Sequence, residues 1–205
     1  MLTHEPMPSA ITAPSRQLFA QLMCVLSLLA GCSSESTERR PDVDAGLICA
    51  SCGSEGGAGG GCEEQLPVTS AQHVAGTIDY PDLPPVGGPH SECWADWGVH
   101  ETEVRTERWV HNLEHGGVVL LYHCNDDCEA DVQSLRDFVA SHPRTLLTPS
   151  AALSERFAVV AWEHRIVSQC LDLAAIERFY AARFDHGPES LSAPPPVVCA
   201  ERPQL

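Results

Sequence analysis

The chain has 205 residues, 43% of them hydrophobic, and a formal net charge of −16. That size supports one domain with a true core, plus a tail or linker, and leaves no room for a second full domain. The acidity argues against nucleic-acid binding, which needs a basic face. The absence of lysine excludes Schiff-base and lysine-nucleophile chemistry.

The chain opens with a polar stretch, then an apolar run from Leu18 to Leu29 and a small-residue exit at Ala30-Gly31-Cys32. The run is too short to span a bilayer and has the form of a cleaved export signal. Leu29-Ala30-Gly31-Cys32 also resembles a bacterial lipobox, which implies that residues 1–31 are a lipoprotein signal and that Cys32 is acylated. The expected address is the cell envelope, with the lipid bilayer as partner through Cys32 and the domain facing the periplasm or the exterior. Ser33 in place of aspartate after the cysteine favours the outer membrane.

Residues 32–64 are rich in Ser, Glu, Asp and Gly, and read as a flexible linker. Removing Cys24 and Cys32 from the ten cysteines leaves eight, an even number that predicts disulfides in an exported chain. The candidates are Cys49, Cys52 and Cys62 in the linker, and Cys93, Cys124, Cys128, Cys170 and Cys199 beyond it. Three and five are both odd, so complete pairing requires a bridge between linker and domain. Cys49-Ala-Ser-Cys52 has redox spacing but no flanking strand and helix, which favours a structural role.

A single domain is expected over residues 65–190, followed by a proline-rich tail at 191–205. His73 to Tyr80 reads as a first strand. The loop from Pro81 to Pro89 is restricted by its prolines and presents His90. Trp94 and Trp97 are expected to cover a core edge or wall a pocket. A helix through His111 and His115 then stops at Gly116-Gly117, and Val118 to Tyr122 is a fully buried strand. A helix capped by Asp126 or Asp127 runs through Ser141. Strands at Arg144 to Thr148 and Phe157 to Trp162 follow, then a helix capped by Asp172. The pattern from Val118 is β-α-β-β-α, which predicts an α+β domain: a small mixed or antiparallel sheet with two helices on one face, as in a ferredoxin-like or related sandwich.

Three side chains of the central motif can bind metal. His111 and His115 are one helical turn apart, so their imidazoles share a face, and Glu114 lies beside them. With His90 on its fixed loop they form a candidate zinc or copper(II) site, with His123 and His164 as outer candidates. Methionine occurs only at positions 1, 7 and 23, which excludes a thioether copper(I) site in the mature protein. An alternative is structural: each histidine donates to a carbonyl with one nitrogen and accepts from a backbone amide with the other, while Glu114 pairs with Arg105 or Arg108. A third reading takes His111-Asn-Leu-Glu114-His115 as the inverted zinc-hydrolase motif, with Glu114 activating water and Glu163, Glu177 or Glu189 supplying a distal ligand. Cys124 and Cys128 are expected to bridge the turn after the central strand.

Gly88-Pro-His90, Trp97-Gly-Val99, Val110-His-Asn-Leu-Glu-His-Gly-Gly-Val118 and Gly187-Pro-Glu189 resemble, in that order, the bacterial domain-of-unknown-function family 3105. The resemblance implies an extracytoplasmic α+β domain without an established activity. The residues thus predict an exported, lipid-anchored metal-binding protein. The alternatives are an envelope interaction module with structural histidines and, third, a small zinc hydrolase.

Overall fold

The computed structural model describes residues 48–53, 60–124 and 128–189. Cys32 and Cys199, the signal and the proline-rich tail lie outside them, as do Asp126 and Asp127. A mixed six-stranded sheet has the order β1-β6-β5-β3-β4-β2. Its strands are β1 (Glu64–Gln65), β2 (Gly98–Val99), β3 (Val118–Tyr122), β4 (Thr145–Pro149), β5 (Phe157–Ala161) and β6 (His164–Ser168). The helices are α1 (Thr106–Glu114), α2 (Glu129–Ser141) and α3 (Leu173–Arg183). Strand β3 is parallel to β4 and antiparallel to β5.

The two-residue period of β3 divides the core. Val118 and Leu120 face α2 and α3, packing with Leu135, Phe138, Val139, Ile176 and Phe179. Val119 and Leu121 face Trp109, Val110 and Leu113 of α1, together with Val86 and Ala95 of the preceding loop. The domain is α+β with two helices on one face, as the pattern predicts. A two-layer sandwich would leave the other sheet face open, whereas here α1 and its loop cover it, giving β3 its double burial.

Three expectations require correction. His73 to Tyr80 is not a strand. His73 makes one isolated bridge to His90, and the backbone then turns at Gly76 with φ +96° toward α1, where Ile78 N–H donates to Glu107 Oε1 at 2.9 Å. Strand β6 was not anticipated; Glu163, at φ +65°, turns the chain tightly from β5 into it without a glycine. Cys128, rather than Asp126 or Asp127, occupies the N-cap of α2. Asp172 does cap α3, accepting from Ala175 N–H at 3.0 Å.

The segment expected to be a linker is also partly folded. Cys49 bridges Cys62, Cys52 bridges Cys170, and Glu64–Gln65 pairs with β6. Composition provides little apolar area there, and the cross-links hold the segment instead by restricting the unfolded chain. Cys49 and Cys52 therefore have separate partners, and Cys52–Cys170 is the required bridge between linker and domain. Cys124 bridges Cys128, and Cys93 is also disulfide-bonded.

Candidate metal centre

Helix α1 supplies both the candidate ligands and the groups that hold their surroundings. Its C-terminus is closed by Gly116 at φ +73°, with Gly116 N–H donating to Leu113 O at 2.9 Å and Gly117 N–H to Asn112 O at 3.0 Å. A Cβ on Gly117 would lie 2.3 Å from the Trp97 ring, so the second glycine is required by close approach. The segment after α3 crosses this same helix end: Asp185 N–H donates to Gly116 O and Glu189 N–H to Glu114 O.

The loop carrying His90 is bound to α1 along its length. Asn112, fully buried, grips the Ala95 backbone with two bonds of 2.9 Å, from Ala95 N–H to Oδ1 and from Nδ2–H to Ala95 O. Arg108 donates to Trp94 O, and Ser91 N–H to Glu107 O. Further back, His90 N–H donates to Gln72 O and Val74 N–H to His90 O, which sets His73 beside His90.

His90, His111 and His115 are buried, and each directs Nδ1 at a main-chain carbonyl: Gly88 O at 2.8 Å, Ser91 O at 2.8 Å and Glu189 O at 3.0 Å. A carbonyl only accepts, so each Nδ1 carries the proton, and in the neutral ring each Nε2 presents its lone pair. Those of His90 and His111 converge on Glu114, where Nε2 of the exposed His73 joins them. His90 Nε2, His111 Nε2 and His73 Nε2 lie 3.0, 3.7 and 3.9 Å from Glu114 Oε2. His111 Nε2 and His115 Nε2 are 2.9 Å apart, so one of them must carry a second proton or both must face a cation. His90 Nε2 and Glu114 Oε2 are buried without a hydrogen-bond partner; their 3.0 Å approach lacks hydrogen-bond alignment.

Burial first, and then the His90 and His115 rings, pulls His111 down to about 3. Burial likewise lowers His90, and burial followed by the Glu189 charge raises Glu114. His111 and His90 are therefore unprotonated at Nε2 at neutral pH and available to a Lewis acid. Trp94 presents its ring edge-on to His115, with centroids 4.6 Å apart, and forms one wall.

The site thus unites His90, His111 and Glu114, with His115 against His111. Two sets of ligand atoms each fall within 4.8 Å: His73, His90, His111 and Glu114, and Glu114, His115 and Glu189. His73 was missed as a ligand; Glu189 was one of three distal-ligand candidates of the hydrolytic reading, and the structure brings it, rather than Glu163 or Glu177, to the cluster. The signal for Glu189 was its motif with Gly187-Pro188; no local pattern marks His73, whose bridge to His90 is tertiary. His123 and His164 are not part of either cluster. His123 Nδ1 faces Leu153 O, and His164 Nδ1 lies 2.9 Å from Glu63, which also binds Arg183. The anticipated arginine partner of Glu114 is also absent among the described residues: Arg105 pairs with Glu107 and Arg108 with Trp94 O.

The family model described as "Protein of unknown function (DUF3105)" matches residues 73–194, which include the whole cluster. The chain belongs to this family. No curated protein and no solved structure matches the chain. The DUF3105 segment begins at His73, the first of the converging histidines, and takes in Glu189, the last of the converging carboxylates.

Proposed function

We propose that this DUF3105 protein binds a transition metal, zinc or copper(II), through His73, His90, His111 and Glu114, with His115 against the same centre. The observation that carries this reading is the convergence of the buried His90 and His111 Nε2 atoms, each with its Nδ1 bonded to a carbonyl, together with Nε2 of the exposed His73, on a carboxylate oxygen without another partner. Each buried acceptor without a donor costs about 1–3 kcal/mol, and a cation satisfies all of them together. The carbonyls act as the outer partners that orient metal-bound histidines. The spacing agrees: donor atoms about 2.05 Å from a tetrahedral zinc lie about 3.4 Å apart, and the three approaches to Glu114 range from 3.0 to 3.9 Å. Nitrogen and oxygen donors without thiolate or thioether suit zinc and copper(II).

The two other readings fit less well. Structural histidines would return Nε2 to a backbone amide, whereas these face one another. A hydrolytic glutamate would stand off the metal to activate water, whereas Glu114 Oε2 lies among the ligand atoms.

The test is elemental analysis of the full chain, exported through an oxidising compartment and dialysed against a weak chelator. Retained zinc or copper, lost in His90→Ala or His111→Ala protein that still melts cooperatively, supports the reading. Free metal at 100 times its dissociation constant should stabilise the protein by about 2.7 kcal/mol. No bound metal, and no thermal shift with either ion, sinks it. The address is part of the proposal: Cys32 is acylated and ties the domain to the envelope, the outer membrane being favoured by Ser33. Palmitate labelling of the intact chain, abolished by Cys32→Ser, checks that step.

A further inference from the structure

We propose that the cluster takes two cations bridged by the Glu114 carboxylate, one held by His73, His90 and His111 and the other by His115 and Glu189. This rests on the metal-binding reading above and extends it from one ion to two.

The donors exceed what one four-coordinate ion uses. Four imidazoles and two carboxylates gather at the C-terminus of α1, and they divide into two sets of ligand atoms that share only Glu114. One tetrahedral ion on His73, His90, His111 and Glu114 leaves His115 Nε2 and the Glu189 carboxylate without a role. His115 is fixed for ligation in the same way as His90 and His111, its Nδ1–H donating to Glu189 O. Glu189 is held by its own N–H on Glu114 O, so the second carboxylate is tied to the helix end that carries the first.

Charge supports a cation at this cluster. Glu114 is 3% exposed, and its Oε2 has no hydrogen-bond partner although Glu189 adds a second negative charge nearby. No arginine pairs with Glu114 or Glu189 among the described residues. The two carboxylates together carry a charge that a single divalent ion would balance, so charge argues for a cation here, and the number of ions rests on the two donor sets. A carboxylate shared between ions about 3.5–4 Å apart is the arrangement of two-metal centres. Glu189 is exposed and gives the second ion a route to solvent.

The test is the saturation stoichiometry of the full, oxidised chain with zinc, and its electron paramagnetic resonance with copper(II). The proposal expects two zinc equivalents in the unaltered protein and one in Glu189→Gln. With copper(II), the two spins should couple, so that the integrated signal falls below that of two isolated ions and a half-field transition appears. Glu189→Gln should restore an uncoupled single-ion spectrum. Saturation of the unaltered protein at one equivalent overturns the two-ion proposal and leaves the metal reading standing, whereas no binding defeats both. Two equivalents retained in Glu189→Gln overturn the assignment of Glu189. Because that residue is exposed, the variant remains a usable test if His115→Ala fails to fold.

Discussion

Replacing Asn112 by alanine removes the clamp between α1 and the loop that carries Ser91 and Trp94. Two hydrogen bonds of 2.9 Å are lost, and their partners, the N–H and C=O of Ala95, are buried in a residue that is 1% exposed. Each backbone group left without a partner costs about 1–3 kcal/mol, so the variant should lose about 2–5 kcal/mol. For a chain of this size that lowers the melting temperature by roughly 5–15 °C. Urea unfolding with an unchanged slope is the assay, since an altered slope would indicate a changed unfolded state. Asn112→Asp should fare no better: it keeps an acceptor for Ala95 N–H but turns a carboxylate toward Ala95 O. Metal affinity should fall about tenfold or more as well, because Ser91 O orients His111. A loss of less than about 1 kcal/mol, with affinity unchanged, would refute the claim that Asn112 holds this loop.

Gly187→Ala should be strongly destabilising, because its Cβ would lie 2.2 Å from Glu114 O and 2.4 Å from Gly116 N; the same variant should release Glu189 from the helix end, and both effects can be read from melting and metal titration. Glu107 is held below the usual carboxylate range: burial opposes ionisation, but the Ile78 N–H, its own N–H and Arg105 together outweigh it. Its contribution is therefore complete above the unfolded value of about 4.3 and is lost as pH falls through the lower folded value, so the stability gap between the unaltered protein and Glu107→Gln should be widest above about pH 5 and close in acid. The Cys52–Cys170 bridge spans 118 residues, and the double serine variant should lose up to about 4–5 kcal/mol in urea melts and expose residues 48–53 to proteolysis.

The parts of the fold legible in sequence are those with a local cause. The apolar run Val118 to Tyr122 is a buried strand because each face meets a different core, and the paired glycines end α1 because one is left-handed and the other lies against Trp97. His111 and His115 share a helix face by period alone. What was hidden depends on tertiary contact. His73 joins the cluster through a single bridge to His90, while the chain around it has neither strand alternation nor a helical stripe. Strand β6 begins after a tight turn made by glutamate rather than glycine, and its polar Ser168 is buried while its apolar Val167 is half-buried, so its alternation was masked. The folded part of the acidic linker depends on disulfides whose pairing no spacing rule specifies.

The same crossing that closes α1 also builds the site. A helix ended by glycine leaves carbonyls without intrahelical partners, and at this end Glu114 O and Gly116 O receive Glu189 N–H and Asp185 N–H. The segment that satisfies the helix thereby delivers Glu189 O to His115 Nδ1 and brings the Glu189 carboxylate beside Glu114. If the histidines served only to join helix to loop, the bonds at Nδ1 would complete the task, and the facing Nε2 atoms would be better replaced by carbon. Burying them together with a carboxylate opposes folding of the free chain, and the proposed cation would remove that opposition. In His90 a satisfied Nδ1 and an unsatisfied Nε2 share one ring, a pairing that the proposed metal site accounts for and a purely supporting histidine does not.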